Sequence, residues 1–514
     1  MSDAKILDTD NKAFSSSKTA NKRGIDVSII APDGGFGEVK IFQPTPVSQI
    51  DAIYGLRSET DLIIGTDDAS SGSVVVSDRV SGREFLISTG TATTGSACIR
   101  SRRPTRYRPG QGMTFRWTSH FAEGATLSTQ FSGAMNIGNR IGFGYNGSTF
   151  GLFKEIGGRP EMQRMTITTG AAGNETSTVT LDGTDYTVSL TASGITHTVF
   201  ELADASYSGW EVQGVDTELT FISKTTGDRT GAFSFTSGAG SAAGGFAEIA
   251  AGQSVTSLFV SQTAWNIDVL DGSTNSAFLL DTTKGNVFQV AMQYLGYGSL
   301  RFNVENPNTG RFEEVHDLAY ANANTGPSMD LPIFHVGARV VNNGNTSSLS
   351  LGMASGAGLI DGDPVPFRNP TGHVVTAAGV GTTFINICSI RVEKEFNGIV
   401  NLIEVFPRLV DIAVEGTKTA EIKLILNATF AGEPNWEYKK DDVSVVAISA
   451  SNVAVTVTGG ASELFGFGMA KSDSRTIALS KLRVGLIPGD TITIAGRATS
   501  GTTDITAGMT WQED

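Results

Sequence analysis

The chain is poor in the residues that cross-link proteins, bind metals and move protons: among 514 residues there are two cysteines and five histidines, and only 18% are charged. Cys98 and Cys388 lie far apart, so they form neither a metal-ligand spacing nor a disulfide framework. His120, His197, His316, His335 and His373 fall in no HExxH or related arrangement, and His335, inside the apolar run "IFHVGA", reads as a buried sheet histidine. No GxSxG elbow and no Walker loop occurs; the glycine-rich "GAGSAAGG" lacks the lysine and the strand-to-helix setting of a phosphate cradle. These absences assign no catalytic, cofactor-binding or metal-ligating residue, and the expectation is a protein that is not an enzyme and holds no cofactor.

Long apolar runs are missing too. Nothing approaches the roughly 18 consecutive apolar residues of a membrane span, so no membrane insertion is expected. The opening "MSDAKILDTDNKAFSSSKTANKRG" has no apolar centre and reads as neither a signal peptide nor an anchor. Positive charge is in deficit, with 38 Lys and Arg against 52 Asp and Glu for a net −14. An acidic surface repels phosphate backbones, which argues against a nucleic-acid partner.

What is abundant is glycine, 61 residues, with threonine, serine and alanine around it. β-Branched residues suit pleated sheets and glycine supplies turns, so the composition predicts a mainly β chain. Residues 1–71 read as an extended polar arm and a connector, with one helical turn near Ile50 to Gly55. Alternating stretches such as "MTFRWTSHF" and the Asn-Gly hairpin "NRIGFGYNGSTFGLFKEIGG" predict a β-sandwich, jelly-roll or lectin-like, over 72–162 and 246–360. It is interrupted over 163–245 by a ββαββ insertion module. There "STVTLDGTDYTVSLTA" is a hairpin turning at Asp-Gly, and "SGITHTVFELADAS" switches to helical spacing. "SGAGSAAGG" (237–245) reads as a flexible junction, 361–383 as a linker, and 384–514 as a C-terminal β-domain.

Against the acidic background stands "IRSRRPTRYRPGQGMTFRW", residues 99–117, with Arg100, Arg102, Arg103, Arg106 and Arg108 in one short run. Pro104 and Pro109 prevent a helix, so the arginines are presented on extended chain. Guanidinium forks pair bidentately with carboxylates or phosphates, so the segment is predicted to be a subunit contact or an anion clamp. Elsewhere carboxylates suggest little. Glu313 and Glu314 are neighbours on a strand and point to opposite faces, and "DGDP" with Asp361 and Asp363 lacks the ligand run of a calcium loop.

The segments "RSRRPTRYRPGQGMTFRWTSHF", "IGFGYNGSTFGLFKEIGG" and "DTTKGNVFQVAMQYLGYGSLRFNVENPNTGRFEEVHDLAYANANTGPSMDLPIFHVGARVVNNGN" resemble virion structural proteins of tailed bacteriophages and other large double-stranded DNA viruses. The 163–245 stretch is similar to insertion modules of phage tail and baseplate proteins. The resemblance implies a virion location and a multimeric component of the tail, baseplate or fibre attachment region. Its partners would be copies of itself and other virion proteins, and no catalytic residue is carried over. The absence of a long spine helix argues against the main shell protein and leaves a capsid decoration or minor capsid protein as an alternative. A second alternative is a lectin-like adsorption protein gripping a host-surface glycan. Tyr294, Tyr297 and Tyr320 would be its stacking residues, with Trp210 and Trp265 as further candidates.

Overall fold

The structure, a computed structural model, describes residues 44–514 apart from 58–61, 66–71, 78–81, 192–193, 239, 274–275, 277, 363–369, 433, 440–442, 450–454 and 483. The arm expected over 1–38 therefore lies outside the described residues, as does Asp363. The chain is mainly β, arranged in several sheets with one α-helix among the described residues.

Two sheets face each other in the first half. One runs Arg311–Leu318, Leu300–Asn306, Asn286–Met292, Met113–Phe121, Ser350–Met353, Phe85–Ser88, Ser73–Val76, with Ser355–Asp361 also against Met113–Phe121. The other runs Thr256–Ser261, Thr149–Ile156, Arg140–Asn146, Ser128–Met135, Ile333–Asn342, Ser96–Ser101, Leu62–Gly65. The period-2 geometry of a strand explains the packing: Met113, Phe115, Trp117, Ser119 and Phe121 all point inward and are buried. Phe143 from the opposite sheet lies 4.8 Å from Phe288 and 5.7 Å from Phe302, ring centre to ring centre. Trp117 Nε1 donates to Ser132 Oγ at 2.8 Å in this layer.

The hairpin at 140–156 turns at Gly147, whose φ of 60° suits a residue without Cβ. Pro44–Asp51 is a strand paired with Ser355–Asp361, and Leu62–Gly65 pairs with Ser96–Ser101, where the sequence reading has a connector. The prolines did not prevent this, because Pro44 opens its strand and the strand pairs only with Ser355–Asp361 among the described residues, an edge position that tolerates Pro46. The helical turn expected near Ile50 is instead the end of that strand and a turn.

Residues 160–250 build two small sheets whose strands pair only with one another. Trp210–Val215, Glu218–Thr226, Pro160–Thr169 and Ala243–Ala250 form one; Thr184–Leu190, Glu175–Leu181 and Ser234–Ser237 form the other. The tight turn between the first two strands of the smaller sheet has Asp182 at φ 49° and Gly183 at φ 75°, the backbone a two-residue hairpin loop demands. The helix Ile195–Asp204 buries Thr198, Val199 and Leu202 against these sheets. The stretch read as a flexible junction is held: the Ser241 amide donates to Glu175 at 2.7 Å, and Ala243 onward is strand.

The last domain begins earlier than the sequence reading has it, because Thr371–Val380, inside the expected linker, pairs with Thr503–Glu513. Thr503–Glu513 in turn pairs with Val405–Val414, and that strand with Ser474–Ala478. Facing them is a sheet of Trp436–Tyr438, Val446–Ser449, Ile385–Val392, Thr456–Met469, Ala420–Ala431 and Thr491–Ala498. Trp511, Val410, Ile422, Ile492 and Ile494 are among the residues of its core.

Candidate functional site

The arginine segment leaves the strand Ser96–Ser101, crosses a short irregular stretch around the buried Pro104, and pairs again through Thr105 and Arg106 with Phe334 and Ile333. That path carries it along the edge of the sandwich where the C-terminal domain abuts. Three of the five arginines meet carboxylates there. Arg102 bonds Asp490, and Arg108 bonds Asp514. Arg103 embraces Glu404 with Nε 2.8 Å from Oε1 and Nη2 donating to Oε2 at 3.1 Å, and its guanidinium lies over the ring of Phe406. Glu404 and Asp514 are themselves tied, each amide donating to the other's carbonyl at 3.0 and 2.9 Å. Asp490 also accepts from Asn427 Nδ2 and from the Ile487 amide.

Charges buried in this way need partners on every side. Burial pushes the Glu404 carboxyl above its ordinary range, with Arg103 pulling back, so the proton is held more tightly here than in an unfolded chain. Arg100 is half-buried on the strand beside Gly337, and its field reaches two groups. Burial first, then Arg100, lowers His335 to about 3. The imidazole is therefore neutral, and since a carbonyl only accepts, Nδ1–H is the donor to the Ser101 oxygen at 2.7 Å. The second group is Glu211 of the 160–250 module. Burial pushes its carboxyl up, but Lys394, 3.0 Å away, and then Arg100 and Lys224 draw it below the usual range. Arg106 is half-buried.

A second joint ties the module to the C-terminal domain. Arg391 donates to the Gly214 carbonyl at 2.5 Å, lies 4.6 Å over the ring of Trp436, and has Nε 3.2 Å from Glu393. The Lys394 amide donates to Gln213 Oε1, and the Asp216 amide to the Trp436 carbonyl. Val215, Trp436 and Ala447 close a small apolar cluster there. Together the two joints make Glu404, Asp490, Asp514, Arg391 and Trp436 the residues that complete the site. Nothing local in the sequence marked them, except that an acidic chain offers carboxylates to any exposed arginine.

The tyrosines considered for glycan stacking are brought close together. Tyr294, Tyr297 and Tyr320 donate their hydroxyls to the carbonyls of Met329, Thr325 and Pro327, stapling two loops. Tyr107 of the arginine segment packs edge-on against Tyr294 at 5.0 Å. Tyr297 is 41% exposed, its ring 6.5 Å from that of Tyr320, over which Lys154 Nζ sits at 4.5 Å. Trp210 and Trp265 are buried in two separate cores. Glu313 and Glu314 engage different partners, Asn306 and Arg301.

No protein-family model matches the chain, and no curated protein matches it. Among solved structures it is similar to the cellulose-induced protein Cip1, at 9% identity and a TM-score of 0.25, over 60% of this chain and 95% of that one. It is also similar to a legume lectin-like domain from Entamoeba histolytica, at 9% identity and a TM-score of 0.21, over 57% of this chain and 88% of that one. Scores this low carry no argument about the fold or the activity of the chain.

Proposed function

We propose that this chain is a non-enzymatic, multimeric structural component of a viral particle, seated in the tail, baseplate or fibre attachment region and working through protein–protein contacts with its own copies and other virion proteins. The sequence resemblance of the "RYRPGQG" and "QYLGYGSLRF" segments points to that class. The single structural observation in its favour is the ion-pair array of Arg102–Asp490, Arg103–Glu404 and Arg108–Asp514. Three of the five clustered arginines are spent on holding the chain's own domains together, and Thr45–Asp514 form one compact unit. A block assembled in this way suits a building element that must keep its shape while neighbours dock. In this reading the sandwich is of jelly-roll or lectin-like type, and 163–245 is a module inserted into it.

The test is fractionation of particles from the organism that makes the protein, on a density gradient, followed by mass spectrometry and antibody labelling under the electron microscope. Stoichiometric recovery with particles and label at the tail end is the expected result. Label over the head surface would shift the reading to a decoration or minor capsid protein, and recovery only in the soluble fraction would end it.

One observation favours a glycan-binding reading as the second choice: the exposed Tyr297 ring lies beside Tyr320 and a lysine, an apolar face with polar atoms at its rim. A glycan array probed with wild type and Tyr297→Ala decides it, since a lectin would lose its signal with the ring.

A further inference from the structure

Thr456–Met469 is the longest described strand, at 14 residues, and past Val457 it is paired along one side only among the described residues. Ala420–Ala431 covers that side, from Ala420 opposite Met469 to Ala431 opposite Thr456. On the other side Thr456 pairs with Ile385 and the Val457 amide donates to the Phe384 carbonyl. Beyond Val457 no strand among the described residues runs alongside it. Residues 458–463, Gly466 and Gly468 are exposed, while Leu464, Phe465 and Phe467 are half-buried against the core of the C-terminal domain.

An edge of this kind offers a row of unpaired amides and carbonyls to any extended chain, and proteins ordinarily blunt it with lysine, proline or inward-pointing charge. The edge strand Arg311–Leu318 of the sandwich is covered instead, the Ile267 and Asp268 amides donating to the Val315 carbonyl and the Asp317 amide to Asn266 Oδ1. Thr456–Met469 has no lysine and no proline, its one charge, Glu463, is neutralised by Lys423 Nζ at 2.7 Å, and its bulges at Thr458 and Leu464 leave the run Gly459–Glu463 between them regular.

We propose that this edge is where two copies of the chain pair, strand to strand and antiparallel about a twofold axis. The inference rests on the multimeric reading above and names its contact. The register with Ala420–Ala431 skips Thr458 and Leu464, so the regular spacing runs from Gly459 to Glu463; over that run a strand turned end for end presents its twin with donors and acceptors at the same spacing, and one pairing satisfies both edges. The charge pattern selects a second copy: in a chain of net −14 the edge is locally neutral, so two acidic molecules approach here with little repulsion. Pairing also consumes the open edge of each copy, which limits assembly through this contact to two.

The experiment measures the mass of the full chain by sedimentation over a wide concentration range, with hydrogen exchange read in the same samples at those amides of 458–468 that point away from Ala420–Ala431. The variant is Gly459→Lys/Gly468→Lys. A Cβ at Gly459 would meet nothing nearer than Thr429 Oγ1 at 3.4 Å, and one at Gly468 nothing nearer than the Ala420 carbonyl at 4.0 Å, so both side chains fit the monomer. Antiparallel pairing brings the lysines of one copy against those of the other. Gly459→Ser/Gly468→Ser is the control that keeps the edge neutral, and unchanged circular dichroism verifies folding. The expected result is a wild-type dimer with protected amides, retained by the serine variant and weakened about tenfold or more by the lysine variant. An oligomer indifferent to the lysines would overturn this contact while leaving the multimeric reading intact. A monomer with unprotected amides overturns the pairing outright. A monomer whose outward-pointing amides in 458–468 are protected shows the edge covered by the chain's own residues and overturns it as well.

Discussion

Arg108 and Asp514, 406 positions apart in sequence, form an ion pair in which each side chain is only 9% exposed. Removing one member of a buried pair strands the other charge away from water, so Arg108→Met should cost about 3–5 kcal/mol in urea unfolding. Replacing both, with Arg108→Met and Asp514→Leu, should recover most of that loss. A double variant as unstable as the single one would mean the charges do more than neutralise each other.

Glu404 sets a pH dependence of one sign. Burial holds its folded-state pKa above the ordinary glutamate range, against the pull of Arg103, so the folded chain binds this proton more tightly than the unfolded chain does. Its contribution is fully present below the ordinary range, declines as pH rises through the raised pKa, and is level above it. In Glu404→Gln that decline should vanish, which stability curves between pH 4 and 8 would reveal.

His335 acts with the opposite sign. Its folded pKa of about 3, lowered by burial and then by Arg100 from an ordinary 6.5, means the unfolded chain takes up the proton first on acidification. The site's stability is present above 6.5 and is lost as pH falls toward 3, by up to about 1.4 kcal/mol per pH unit. His335→Asn, which keeps a donor for the Ser101 carbonyl and does not titrate, should flatten the curve in that window.

At the second joint, Arg391→Ala removes a charged donor from the Gly214 carbonyl and uncovers the Trp436 ring. A loss of about 2–3 kcal/mol is expected, with a red shift of tryptophan emission as Trp436 gains water. An unchanged emission maximum would show that the ring is held by its other neighbours, Val215 and Ala447.

In the sandwich core, Phe143 touches Trp117, Phe288, Phe302 and Trp265 at once. Phe143→Ala should cost about 3–5 kcal/mol by chemical denaturation, because so many rigid rings cannot close over the void.

Local chemistry was legible where the controlling interactions are local. Alternation in "MTFRWTSHF" marked a two-faced strand, Asp182-Gly183 marked a tight turn by its need for positive φ, and the spacing after Gly194 marked the helix at 195–204. Legibility failed at the ends of domains. Pro44 and Pro46 read as connector because proline removes amides, yet the first residue of a strand and an edge strand paired on one side tolerate that loss. Thr371–Val380 read as linker because its strand partner, Thr503–Glu513, comes more than a hundred residues later.

The same division holds for the site. Composition and residue order alone determined a mainly β chain and a proline-stiffened run of arginines that cannot be helical, since both follow from backbone preferences of neighbouring residues. Only the tertiary structure decided which carboxylates those arginines meet. Glu404, Asp490 and Asp514 are three of many acids, and what singles them out is burial at a junction between domains, where water no longer competes for the charge and each guanidinium must be matched by a partner in reach.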